Sequence, residues 1–132
     1  MRKIMISDYD RRKLDALLLS AGSCVRLDDL RAELRRAEII PSNELPADVV
    51  TVNSTVVLRD LDTDERETYT LVLPRDADIN ESRLSVLAPI GTAILGEHVG
   101  NDVHWRVPDG WRRLQIEKVM NPSEREAAIL CN

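Results

Sequence analysis

The sequence predicts an α+β fold in which a short antiparallel helical hairpin precedes an antiparallel sheet carrying one short helix. Two observations lead there. Apolar residues recur at helical spacing as far as Ala37 and at strand-like spacing after Val49. Between Leu84 and Gly96 a segment opens a helix with Pro89 and closes it with Gly96. A chain of 132 residues fits one domain, or a small domain with an appendage, around a modest core.

Ser7 and Asp8 can cap the first helix. Leu14, Leu17, Leu18 and Ala21 then follow at i, i+3, i+4 and i+7, which would leave Asp10, Arg11, Arg12, Lys13 and Asp15 to solvent. Gly22 ends this helix. After the turn Gly22-Ser23-Cys24-Val25, a second stripe of Leu27, Leu30, Leu34 and Ala37 is flanked by charged residues. So short a turn folds two helices of about 14 residues, about 20 Å each, back on one another. The stretch 41–46 is aperiodic and holds two prolines, so it reads as a linker. The expected division is a helical hairpin over 1–45 and a sheet domain over 46–132.

Beyond the linker, Thr55–Asp60 and residues 67–73 flank an acidic turn and predict an antiparallel hairpin. A strand over 84–87 leads into Pro89 and a helix over 90–95. Asp102–Val107, a turn at Pro108, Asp109 and Gly110, and residues 111–119 predict a last hairpin, and 122–130 could close as a helical turn.

Composition narrows the function classes. Hydrophobic residues make up 43% and charged residues 31%, and Phe is absent, so the core must be built from Leu, Ile, Val and Ala. The net charge of −5 divides into +1 over 1–45 and −6 over 46–132. An acidic body does not attract phosphate backbones, so no direct nucleic-acid partner is expected, and an electrostatic partner should present a basic surface. Cys24 and Cys131 fit no metal spacing and read as free thiols. No apolar run is long enough to cross a bilayer, so a cytoplasmic location and no membrane partner are expected.

The candidates for chemistry are few. Asp28 and Asp29 could hold Mg²⁺ through oxygen ligands, yet carboxylates at a helix start also satisfy free amides and meet the positive end of the macrodipole. The second account is preferred. Asp62, Asp64, Glu65 and Glu67 lack the spacing of a calcium loop and read as a solvated hairpin tip. His98 and His104 belong to no triad or metal pattern, and strand alternation sends His104 and Trp105 to opposite faces. No serine occupies a nucleophile elbow, and Gly91, Gly96 and Gly100 miss the nucleotide-binding spacings. A non-enzyme without cofactor or metal is expected.

Three segments in order carry a resemblance: residues 50–56 (Val-Thr-Val-Asn-Ser-Thr-Val), 85–96 (Ser-Val-Leu-Ala-Pro-Ile-Gly-Thr-Ala-Ile-Leu-Gly) and 100–103 (Gly-Asn-Asp-Val). From Asp48 to about Met120 the chain resembles the C-terminal domain of the Gre transcript cleavage factors, which implies an FK506-binding-protein-like (FKBP-like) fold. The entry at 45–51 (Leu-Pro-Ala-Asp-Val-Val-Thr) and the segment 84–89 are similar to the Rnk family, short relatives named regulators of nucleoside diphosphate kinase. The resemblance implies a monomeric, non-catalytic transcription regulator. It would bind RNA polymerase at the rim of the secondary channel through Ser85, Leu87, Ala88, Pro89, Ile90 and Gly91. The hairpin tip, with Gly22, Ser23, Cys24, Asp28 and Asp29, would point inward, and the protein would compete with Gre-type factors and affect nucleoside diphosphate kinase indirectly. In Gre factors a long coiled coil brings acidic tip residues to a catalytic Mg²⁺. Here residues 20–25 contain no acid and the hairpin is short, so the alternative, Gre-like cleavage stimulation through Asp28 and Asp29, departs from the family pattern. Prolyl isomerisation, suggested by the fold alone, would need an aromatic pocket, with Tyr69, Trp105 and Trp111 as its only candidates.

Overall fold

The computed structural model of the chain describes residues 4–21, 25–107 and 110–121. A short strand, β1 (Met5–Ser7), runs straight into α1 (Asp8–Ala21). Helix α2 (Val25–Arg36) runs out into β2 (Glu38–Ile40). The start of α1 and the end of α2 follow from their residues. The Ser7 hydroxyl accepts the Asp10 amide at 3.0 Å as an N-cap, and Arg35 and Arg36 sit in the last turn of α2 against the negative end of its dipole. The expected tip residues Gly22, Ser23 and Cys24, the turn residues Pro108 and Asp109, and the terminal helical turn over 122–130 lie outside the described residues.

β1 and β2 were not foreseen. They pair in parallel, Ile6 opposite Ile39, where the chain enters and leaves the helices. Three residues are too few to display a period.

The main sheet has the order β5-β4-β3-β7-β6, built from β3 (Thr55–Asp60), β4 (Arg66–Val72), β5 (Arg83–Ser85), β6 (Asp102–Val107) and β7 (Gly110–Met120). Both expected hairpins are present. The expectation of a wholly antiparallel sheet is corrected: β4 and β5 are parallel. After β4 the chain doubles back through two single helical turns, Pro74–Asp76 and Ile79–Glu81, and re-enters beside β4 in the same direction.

Alternation along β3 buries Val56, Leu58 and Asp60 and turns Thr55, Val57 and Arg59 outward. The outer face is polar. Thr55 and Thr70 share a hydroxyl contact of 3.1 Å, and Arg66 meets Glu117 at 2.8 Å. A bulge places Val57 opposite Lys118 but Leu58 opposite Ile116. The extra residue, Glu117, keeps Ile116 on the core side instead of exchanging it for a carboxylate.

On the core side the sheet meets α3 (Pro89–Ile94) through β6, and α2 packs in turn against α3. Leu14 of α1 and Leu30 and Leu34 of α2 belong to the same buried cluster as Val50, Leu58, Ile94 and Ile116, so one core runs across the aperiodic stretch at 41–46. That stretch holds a single helical turn, Ser42–Glu44.

Gly91 is where α3 comes closest to the sheet. A Cβ there would stand 2.1 Å from the Ser85 carbonyl oxygen and 3.2 Å from Leu71 Cδ1, whereas one at Gly100 would meet nothing within 4 Å. Gly91→Ala is therefore expected to cost about 3 kcal/mol through forced backbone movement. Gly100→Ala, whose only penalty is its positive φ, is expected to cost about 1 kcal/mol. Urea unfolding midpoints of the two variants check this order.

Candidate docking surface

The segment from Ser85 to Gly91 is a rigid projection. Val86 is anchored to the sheet by its amide, which donates to Val72 at 2.9 Å, and its carbonyl accepts the Thr92 hydroxyl at 2.7 Å. The Ser85 side chain accepts the Leu87 amide at 3.0 Å, and the Ser85 carbonyl accepts the Ala88 amide at 3.0 Å. These bonds bend the chain so that Pro89 opens α3 as its first residue. Pro89 is exposed, Ser85, Leu87, Ala88 and Ile90 are half-buried, and Gly91 is buried. Leu87 and Ile90 also pack on the core. Pro89 is thus the crest of the projection, Ala88 its shoulder, and Gly91 the floor that lets α3 lie against Ser85.

The other candidates fall elsewhere. Asp28 is exposed in the first turn of α2 and pairs with Arg31 at 3.3 Å. The acidic hairpin turn is laced to the neighbouring strand: Arg113 meets Asp62 at 2.8 Å, and Arg112 meets Asp60 at 3.2 Å and Glu67 at 3.3 Å. Two backbone amides, those of Asp62 and Thr63, and then Arg112 hold the Asp60 carboxyl below its ordinary range. His104 is exposed, and His98 Nδ1 lies 2.9 Å from the Val99 carbonyl oxygen. Among the described residues no three acids, histidines or cysteines gather as a metal site.

One acid lies where the sequence did not lead us to expect it. Asp10, expected in solvent, is only 4% exposed, and its Oδ2 accepts the Val52 amide at 2.9 Å across 42 residues of chain. A signal was available: Asp10 stands four residues before Leu14 and seven before Leu17, on the apolar stripe itself, and Ser7-x-x-Asp10 is a capping-box pattern. Burial pushes its carboxyl up, a shift the Val52 amide and Lys13 oppose.

The Val52 end is held in turn by a buried polar knot. Ser54 Oγ accepts the Thr51 amide at 2.8 Å and donates to Asn121 Oδ1 at 2.7 Å, and Asn121 Nδ2 donates to the Ala47 carbonyl at 2.8 Å. Nearby, the Met5 amide donates to the Gly96 carbonyl at 3.0 Å. Gly96 has φ +80, and a Cβ on it would come within 3.0 Å of Ile4 and Met5. The N-terminal segment is therefore tied to two loops of the sheet domain, Met5 to Gly96 beyond α3 and Asp10 to Val52 before β3.

Comparison with known proteins follows the same outline. The family model described as the C-terminal region of the transcription elongation factors GreA/GreB matches residues 45–121. The chain is 43% identical over 110 residues to the regulator of nucleoside diphosphate kinase of Escherichia coli (strain K12), covering 81% of this chain and 80% of that protein. It is 38% identical over 113 residues to the transcription elongation factor GreA of Mesorhizobium japonicum, covering 86% of this chain and 69% of that one. A solved structure described as a prokaryotic transcription elongation factor GreA/GreB from Nitrosomonas europaea superposes with a TM-score of 0.76 at 42% identity, covering 92% of this chain and all of that one.

The family match begins at residue 45, so the bond from Asp10 to Val52 ties a segment outside the match to one inside it. Asp10→Ala leaves the Val52 amide buried and unsatisfied and is expected to cost about 1–3 kcal/mol, whereas Asp10→Asn keeps an acceptor and costs less. Because the folded-state carboxyl titrates above its unfolded value, protonation favours the folded state. Wild type should gain on Asp10→Asn as pH falls through the folded value and lose that gain as pH rises. Urea unfolding of both proteins over a pH series reads this difference, and a gap that moves in the opposite direction would contradict it.

Proposed function

Since the chain belongs to the GreA/GreB family and is 43% identical to a regulator of nucleoside diphosphate kinase, we propose that it is a non-catalytic transcription regulator that docks on RNA polymerase at the secondary channel and competes there with Gre-type factors. The observation that carries this reading is the projection at 85–91. Its backbone is locked by bonds to Val72, Ser85 and Ala88, and Pro89 stands exposed at its crest inside the family-matched region. A surface already held in its binding conformation loses little entropy on docking. The −6 charge of residues 46–132 would steer this face to a basic rim.

The helices support the non-catalytic half. With 14 residues in α1 and 12 in α2, a hairpin of this chain reaches about 20 Å from its base. It would occupy the channel entrance with a tip that carries no acid between Ser20 and Val25. An effect on nucleoside diphosphate kinase would then arise through transcription, in the cytoplasm, with the protein acting as a monomer.

The test is binding of the purified chain to core RNA polymerase with a Gre factor as competitor. Mutually exclusive binding is expected. Pro89→Ala/Ile90→Asp should weaken it by more than about tenfold, as loss of a central anchor does. Because Ile90 also packs on the core, Pro89→Asp at the exposed crest serves as the surface variant, and unfolding midpoints are measured alongside. Asp28→Ala/Asp29→Ala should leave binding and competition unchanged. Absence of binding at micromolar concentrations overturns the reading.

A further inference from the structure

We propose that Asp10 is a positioning residue: by holding the Val52 amide inside the core, its side chain fixes the direction of α1 relative to the sheet domain, and so the angle at which the helices meet the partner. This rests on the reading of the helices as the segment that enters the polymerase channel. Three observations carry it.

In a capping box the side chain of the third helical residue turns back to the amide of the cap. Here the first half of the box is made, Ser7 Oγ accepting the Asp10 amide at 3.0 Å, but the acid reaches outward to Val52 instead. A local device has been turned into a long-range one.

Secondly, Asp10 occupies a stripe position that it shares with Leu14 and Leu17, where an apolar side chain would fill the space without desolvating a charge. A buried polar group retained at such a position, held by one directional bond, selects one arrangement over its alternatives rather than adding stability.

Thirdly, the acceptor of the strut is immobile. Val52 lies between Thr51 and Asn53, the Thr51 amide is held by Ser54, Ser54 by Asn121, and the Asn53 amide donates to Leu71 of β4. The Met5 bond to Gly96 places the start of α1, and the Asp10 bond five residues on supplies the second point that defines its direction. Leu14 seats the helix in the core without fixing its tilt by a directional bond, and a tilt of about 10° moves the far end of a 20 Å helix by about 3 Å.

The test uses the full chain with Cys24→Ser and Cys131→Ser and spin labels on Leu19→Cys, which is 87% exposed near the end of α1, and Thr68→Cys on the outer face of β4. Distances are read by double electron–electron resonance. Asp10→Asn should keep the narrow distribution of the parent, Asp10→Ala should broaden it, and Asp10→Glu, one methylene longer, should shift its mean. In the chain with its own cysteines, Asp10→Ala should bind core polymerase as wild type does but suppress Gre-dependent cleavage about tenfold less well, the scale of one lost buried hydrogen bond. An unchanged distribution in folded Asp10→Ala overturns the proposal, and should that variant not fold, an unchanged mean in Asp10→Glu overturns it equally. Failure of the wild-type chain to bind polymerase would remove the functional reading and leave the distance measurement to decide on Asp10.

Discussion

The loop between Val49 and Ser54 is the point on which the rest of the molecule depends. It carries no regular structure, yet it meets the exit of the linker at Ala47 through Asn121, the end of α3 through hydrogen bonds joining Val50 to Gly96 and Glu97, β4 through Asn53, and α1 through Asp10. An irregular segment at the centre of a core leaves amides that no ladder satisfies. Side chains must therefore supply the acceptors: Ser54 takes the Thr51 amide and Asp10 the Val52 amide, while Asn121 accepts the Ser54 hydroxyl and holds it in place. Replacing Ser54 or Asp10 with an apolar residue would remove one acceptor and leave its amide with no water to turn to.

The loop explains why projection and helices can be treated as parts of one rigid body. Gly96 follows α3 and lies against Ile4 and Met5, while α3 begins at the projection and lies against Ser85 through Gly91. The six-residue helix that begins at the exposed Pro89 thus leads directly to the site where the N-terminal strand is held. A force applied at the crest is transmitted through a stiff, short element rather than through a flexible tether.

Much of this was legible in the amino-acid order. The alternation of Val56, Leu58 and Asp60, the Pro89 start and the Gly96 stop, and the stripe of Leu14, Leu30 and Leu34 all announce their elements because each follows a local period or a local stop signal. What escaped had no local signature. The pairing of β1 with β2 involves residues 33 apart in short strands, the parallel placement of β5 depends on how residues 73–82 turn, and Asp10 looks like any surface acid until Val52 is brought to it. The projection itself was readable as a Pro-Gly turn. Its crest was not, because only the packing of Ile90 and Leu87 on the core leaves Pro89 as the residue that stands clear.

The strand order also has a consequence for how the protein is made. β7, the last described strand, lies between β3 and β6, and Asn121 just beyond it completes the knot around Ser54. On the ribosome, β3 and β4 emerge long before β7 and must wait with the open edge of β3 unpaired. The knot at Ser54 and the ladder that joins β6 to the rest of the sheet both wait for β7 and Asn121. Folding of this chain is therefore a late and largely all-or-none event, governed by non-local pairing, and a chain cut short before residue 110 would expose two unpaired strand edges to its neighbours.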